Sequence, residues 1–426
     1  MPTPRLLAAV LLPCLLLVTA CSGLPTARQP APAPTQSRDV VAAPPPVLLV
    51  SVDGLAPAML EWAPRLSAIA RGGLSSEGLR PSYPTLTFPN HATLVTGLRP
   101  DRHGIVHNKM RDPVLGRFSN GTDSADDGRW WSQAVPLWVT AEQAGLPTAT
   151  MFWPGSGAAI AGVRPTRWFP YDGEVTTAAR IDRVLGWLSE PPATRPRFAT
   201  LYFSHVDEAG HDHGPRSPEV REAVRTIDAA LGRLFDTLAA RGIAANIVVA
   251  SDHGMAERPP GQVVVIETMV DPRDAQWITD GQVIGFDPLP GRTAQAEAAL
   301  LGRHANYDCW RKAELPPRWR YGAHVRVPAI VCQMHEGWDA FTRERIARFA
   351  RDGRVPGLRG SHGYDDALPS MRGVLLAHGP AFRAGARVGV VDNVDVYPLL
   401  ARLVGVAPRA HDGDARTFEG VLREGW

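Results

Sequence analysis

Three short apolar runs end on, or just before, an aspartate. They are Val47–Val52 before Asp53, Phe198–Phe203 before Asp207, and Ile247–Ser251 before Asp252, with His211 and His253 close behind. Such runs lack polar alternation and are separated by segments with helical spacing, so they predict strands buried on both faces of a parallel sheet. In an open sheet of that kind, reactive side chains gather beyond the carboxyl ends of the strands. Ends carrying Asp, Asp and Asp-His therefore predict one shared metal site.

The same pattern continues along the chain. Helices are predicted over Pro64–Arg71, stopped by Gly72-Gly73, and over Leu86–Thr96, closed by Gly97. Further helices follow at Trp138–Gln143, Val175–Leu188, Glu219–Ala240 and Val394–Val404, and further strands at Thr148–Trp153 and Arg372–Ala377. Alternating strands and helices imply an α/β fold: a parallel-rich central sheet with helices on both faces. Residues 260–345 break the rhythm with β-like runs at Val263–Glu267 and His324–Cys332 around a helix at Ala294–Leu301, which predicts a small inserted or capping α+β subdomain. The polar tract Asp112–Arg129 reads as a surface loop.

Composition adds little to this picture. Among 426 residues, 44% are hydrophobic and 21% charged, as in ordinary globular proteins, and a net charge of +2 gives no footprint for nucleic acid. The amino terminus matters more. Arg5, the apolar run Leu6–Val18 and small residues before Cys21 read as a secretory signal over residues 1–20. Val18-Thr19-Ala20-Cys21 has the form of a bacterial lipobox, which predicts a periplasmic protein anchored by lipid at Cys21; plain cleavage after Ala20 is the alternative. A Pro/Ala-rich tether over 21–46 then precedes a catalytic domain over 47–426. In such a compartment Cys309 and Cys332 are expected to pair, with two free buried thiols as the alternative.

Pro89 suits the first turn of the helix opened by Thr85-Leu86-Thr87-Phe88-Pro89-Asn90-His91, which puts Thr87 at or near the N-cap. Thr87 is then either a capping residue or a nucleophile, and the second role requires a metal to lower the hydroxyl pKa. Asp207 and His211 are one helical turn apart, while Asp53 and the Asp252-His253 pair each precede a glycine. His362, in Gly360-Ser361-His362-Gly363-Tyr364-Asp365, completes three carboxylates and three imidazoles. Mixed N/O ligands suit zinc-like ions, and six are too many for one tetrahedral ion.

These segments together resemble the motifs of the nucleotide pyrophosphatase/phosphodiesterases, a family of the alkaline phosphatase superfamily, in order and spacing from about Val47 to the end. The resemblance implies two zinc ions, one held by Asp53, Asp252 and His253 with Thr87 bound to it, the other by Asp207, His211 and His362. It makes Thr87 the nucleophile of a phosphothreonine pathway, with Asn108 and the Phe88 N–H as donors to phosphate oxygens. Phe88 and Tyr171 match aromatic positions that sandwich a nucleotide base, whereas Ala92 stands where many members have tyrosine.

Two divalent ions, three aspartates and a threonine alkoxide sum to near neutrality, which favours singly charged phosphodiesters of nucleotides and related small molecules over monoesters. A phosphomonoesterase or phosphonoacetate-type hydrolase is the nearest alternative. A metal- or nucleotide-binding envelope lipoprotein without turnover is the non-enzymatic one. A sulfatase is excluded, because Thr87 cannot be converted to formylglycine.

Overall fold

Eight strands form the main sheet, and its centre is where the chemistry converges. In the computed structural model, which describes residues 44–353 and 358–426, the strand order is Ala386–Asp392, Leu74–Arg80, Leu375–His378, Asn246–Ala250, Val47–Val52, Phe198–Phe203, Thr148–Met151, Arg167–Trp168. The signal, Cys21 and most of the expected tether lie outside the described residues. The three aspartate-bearing strands are the adjacent, parallel central three. Every residue of all three is buried, which explains why they are mostly apolar, with only Ser51, Thr200 and Asn246 markedly polar.

Alternate residues of the Val47–Val52 strand feed opposite faces. Val47 and Leu49 pack with the helices Thr87–Thr96, Leu137–Gln143 and Val396–Val404. Leu48, Val50 and Val52 pack with Pro64–Arg71, Thr177–Leu188 and Pro218–Ala240. The fold is thus the expected α/β sheet covered on both faces, at about 25 cal/mol per Å² of apolar surface buried.

Several expectations shift in detail. The late strand is Leu375–His378 rather than Arg372–Ala377, and it runs antiparallel to both neighbours. Three strands, Leu74–Arg80, Arg167–Trp168 and Ala386–Asp392, have no apolar run to announce them. They pair near or at the sheet's ends, where backbone hydrogen bonding decides and half-exposed side chains remain polar. The tract expected as a loop contains part of a hairpin, Lys109–Asp112 against Gly116–Ser119, because Phe118 is buried among Trp130, Trp131 and Phe88.

A second, antiparallel sheet orders Ala275–Trp277, Val283–Pro288, Ile330–Met334, Tyr307–Arg311 and Gly302–Arg303, with helix Thr293–Leu300 against it. Here the expected strand at His324–Cys332 begins only at Ile330. Cys309 lies opposite Cys332 in this sheet, and the two form a disulfide. Arg326, almost fully buried, donates to Asp112 at 2.8 Å and to the Gly104 and Trp130 carbonyls, tying the 324–329 segment to the hairpin. Burial would raise the Asp112 pKa, but Arg326 and two backbone N–H groups bring it down to about 2.

A carboxylate–imidazole centre at the sheet's carboxyl edge

Register brings the ligands together. Pairing Ser51 with Ala250 sets Asp53 level with Asp252, and the Phe198–Phe203 strand runs into helix His205–His213, where Asp207 and His211 share a face. Gly54 makes this approach possible: its φ is +71°, and a Cβ there would lie 3.0 Å from the Asp207 Cα. Gly254 is equally constrained, since a Cβ would lie 2.2 Å from the Ser370 carbonyl oxygen. His362 arrives from far along the chain because Arg359–Ser361 pairs antiparallel with Ala256–Arg258, just beyond His253.

The donor atoms form two triangles. In the first, His253 Nε2 lies 3.3 Å from Asp53 Oδ1, 3.0 Å from Asp252 Oδ2 and 3.3 Å from Thr87 Oγ1. In the second, His362 Nε2 lies 3.1 Å from His211 Nε2 and 3.4 Å from Asp207 Oδ1, with His211 Nε2 3.5 Å from that same oxygen. A tetrahedral ion with ligand bonds of about 2.0 Å sets its ligand atoms about 3.3 Å apart. His253 also lies within reach of a set formed with Asp207 and His362, and the His253 and His362 rings stack at 3.5 Å, so the triangles adjoin.

Proton positions favour a cation in both. Each imidazole meets a backbone carbonyl through Nδ1: His253 with Gly254 at 2.9 Å, His211 with Gly360 at 3.1 Å, His362 with Thr85 at 2.9 Å. If Nδ1–H donates there, every Nε2 lone pair points into the centre, the arrangement of metal-bound histidines. Asp53 Oδ1, Asp207 Oδ1 and both Asp252 oxygens are buried without a hydrogen-bond partner. Buried polar atoms are rarely left so, and a cation accounts for all four.

For the protein groups alone the electrostatics are adverse. Burial, then Asp252 and Asp207, push the Asp53 pKa well up. Burial also raises Asp207, against the opposing influence of His211 and His253. Burial would raise Asp252 too, but His253 and His91 hold it far below the usual carboxylate range. Burial would lower His253, yet Asp252 raises it; His362 is driven well down by burial and its two neighbouring imidazoles. Cations at this centre would relieve the carboxylate repulsion.

Thr87 occupies the first turn of helix Thr87–Thr96, and Leu86 takes the cap position without a side-chain cap. The hydroxyl is therefore free of capping duty and faces His253. Asn108 accepts the Phe88 N–H through Oδ1 at 2.9 Å. That bond orients the Asn108 amide, leaving Nδ2 as its donor. Phe88 packs on Phe118 and Trp131, whereas Tyr171, more than half exposed, packs on Phe152 and Tyr202. Among the described residues no ring contact joins Phe88 to Tyr171.

Three supporting residues escaped the sequence reading. Tyr202 donates to Asp53 Oδ2 at 2.7 Å. His91 bridges Ser51 Oγ at 2.8 Å and the Thr87 carbonyl at 2.9 Å, with Asp252 Oδ2 3.4 Å away. Arg180, fully buried, reaches the Val175, Gly173 and Tyr202 carbonyls and so holds the Tyr171 loop. His91 stands inside the Thr87 motif, which was a usable signal; Tyr202 sits within an apolar run and offered none.

An α/β sheet with such a donor set at its carboxyl edge defines the class: an enzyme built around a carboxylate–imidazole metal centre. Comparison with known proteins narrows it. Residues 47–365 match the model of the type I phosphodiesterase / nucleotide pyrophosphatase family. Bovine ectonucleotide pyrophosphatase/phosphodiesterase family member 3 is 34% identical over 402 residues, covering 89% of this chain but only 44% of that protein. Human family member 5 is 31% identical, covering 88% and 78%, and bovine bis(5'-adenosyl)-triphosphatase ENPP4 is 32% identical, covering 90% and 83%. Murine ectonucleotide pyrophosphatase/phosphodiesterase 5, solved with AMP in an inactive form carrying a threonine-to-alanine substitution, superposes with a TM-score of 0.83 at 31% identity, covering 89% of this chain and all of that one. The chain belongs to the type I phosphodiesterase / nucleotide pyrophosphatase family.

Proposed function

We propose that this chain hydrolyses phosphodiester and pyrophosphate bonds of nucleotides through Thr87 and releases a nucleoside monophosphate. The observation that carries the reading is a pair of adjoining donor triangles, with four carboxylate oxygens left without a hydrogen bond and the Thr87 hydroxyl 3.3 Å from His253 Nε2 of the first. Two Zn2+ ions suit the donor set, one with Asp53, Asp252, His253 and Thr87, the other with Asp207, His211 and His362. Bound there, such ions supply a lowered hydroxyl pKa and charge stabilisation of the attacking and leaving oxygens. The AMP complex of the murine relative and the naming of ENPP4 as a bis(5'-adenosyl)-triphosphatase support nucleotides as substrates.

The residues divide the work. Thr87 Oγ1 attacks phosphorus, the bond to the leaving oxygen breaks, and a phosphothreonine remains. Water then attacks that phosphorus, restoring Thr87 and freeing the monophosphate. Asn108 Nδ2, aimed by the Phe88 N–H, donates to a non-bridging oxygen, an electrostatic contribution set before reaction. His91 holds the Thr87 carbonyl, and with it the first helical turn, in place. Phe88 and Tyr171 form the walls for a base.

Selectivity for diesters follows from charge pairing. Lys109 and Arg345 share Asp280, Arg258 meets Asp339, and Arg359 meets Asp212, so each cation lining the adjoining cavity has a carboxylate partner. The one excess positive charge, on the Lys109–Asp280–Arg345 trio, lies in the cavity wall, where a leaving group's phosphate rather than the transferred phosphoryl group meets it. Initial rates on bis-(p-nitrophenyl) phosphate and p-nitrophenyl phosphate test this: the diester should be faster, and a faster monoester assigns the site to a phosphomonoesterase. Thr87→Ala should retain its metal by elemental analysis and lose at least about 10³-fold in kcat; near-normal turnover would remove Thr87 as nucleophile. The proposal extends to an exported, Cys21-lipidated protein, for which Cys21→Ser should move the protein from the membrane to the soluble fraction.

A further inference from the structure

A cavity of about 380 Å³ opens beside the second triangle, lined by His211 and His362 and also by Phe341, Ile346 and Phe349. Neither Phe88 nor Tyr171 lines it, so it is separate from the walls assigned to the transferred nucleotide. We propose that this cavity is a subsite for a nucleotide leaving group, one that carries its own phosphate and base. The proposal rests on the reading of Thr87 as nucleophile.

In-line displacement places the leaving oxygen opposite the attacking one. With Thr87 Oγ1 in the first triangle, the leaving group departs past His211 and His362, where the cavity begins. Its volume lies within the range of about 300–1,000 Å³ that holds small organic ligands, more than a pyrophosphate alone requires. Its lining carries two kinds of chemistry. Lys109 Nζ and Arg345 Nη1 flank Asp280 at 2.8 and 2.6 Å, a trio with one net positive charge and spare N–H donors, suited to a phosphate. Lys109 follows Asn108 directly, so the phosphate-facing segment continues into this wall. The same Arg345 guanidinium lies 4.5 Å over Phe341 and 5.3 Å from the Phe349 ring, and the two rings meet edge to face at 5.4 Å. Flat guanidinium and aromatic faces are what a nucleobase stacks on. A lipid tail would need a longer apolar wall, and pyrophosphate would leave the aromatic side chains unused.

The test compares substrates that pass the same AMP group to Thr87 with different leaving groups: diadenosine triphosphate, which releases ADP, and ATP, which releases pyrophosphate. The readout is the ratio of their kcat/KM values in the zinc-loaded protein. Stacking one base on an aromatic wall is typically worth about tenfold, so the wild-type ratio should favour the dinucleotide by about that factor. Phe349→Ala and Arg345→Met should each remove most of the preference. Ile346→Trp, which fills the cavity from a half-buried position, should remove it with no charge lost. Melting curves for each variant establish that the fold persists. A wild-type ratio near one, or ratios within about twofold of wild type in all three variants, would overturn the subsite while leaving hydrolysis intact. Cleavage of neither substrate would instead overturn the reading of the centre itself, and the subsite with it.

Discussion

The two donor triangles differ most in their exposure. The Asp53, Asp252 and His253 side chains are 2%, 0% and 0% exposed, whereas Asp207, His211 and His362 are 15%, 39% and 5% exposed. The first is built from adjacent central strands whose register the whole sheet enforces. The second draws on a nine-residue helix and on a short strand from elsewhere in the chain. A nucleophile gains from a dry, rigid setting fixed before substrate arrives. A leaving group and a hydrolytic water must come and go, and the more open triangle faces the cavity that allows it.

This contrast can be broken by experiment. Asp252→Asn strips the buried triangle of its most strongly ionised carboxylate, and kcat/KM should fall by at least about 10³-fold with loss of one metal equivalent. His211→Asn, on the exposed rim, should cost less, about 10²-fold, with partial rescue by excess Zn2+. Equal losses, or a larger one at His211, would show that exposure does not rank the triangles. Tyr202→Phe leaves Asp53 in place without its 2.7 Å hydrogen bond, and should weaken metal retention by about tenfold in a chelator competition.

The smallest effect expected is on thermal stability. Asp53, Asp207 and His253 have raised pKa values in the protein alone, so they hold protons to higher pH and a cation must displace them. The Tm increment on adding Zn2+ should therefore grow as pH rises from about 5.5 to 8 and shrink as pH falls. His362, its pKa driven down by burial and its neighbouring imidazoles, works against that dependence rather than adding to it. An increment that is flat with pH, measured at fixed free metal, would contradict proton–metal competition at the centre.

Much of the sheet was legible because burial on both faces leaves a plain record. The Val47, Phe198 and Asn246 strands are apolar at most positions, and the helices between them begin at Thr176 and Ser217 caps. The Leu74–Arg80 and Ala386–Asp392 strands are paired through backbone groups that every residue carries, so their half-polar sequences concealed them. The Lys109–Ser119 hairpin was hidden for the same reason, with Phe118 its main apolar anchor. Of the centre, the residue types and their motifs were visible. The unsatisfied oxygens, the orientation of the Asn108 amide, and the parts played by Tyr202 and Arg180 were not.

By itself the sequence determined which residues end buried strands in carboxylates, and so that a metal centre was to be expected where those strands stop. Local spacing carries that information, because burial and turn chemistry act on neighbouring residues. Only the tertiary structure decided that the three strands lie side by side, that His362 joins them through the pairing of Arg359–Ser361 with Ala256–Arg258, and that a cavity opens beyond His211. Those outcomes depend on strand order and register between segments up to three hundred residues apart, which are set by the packing of the whole core.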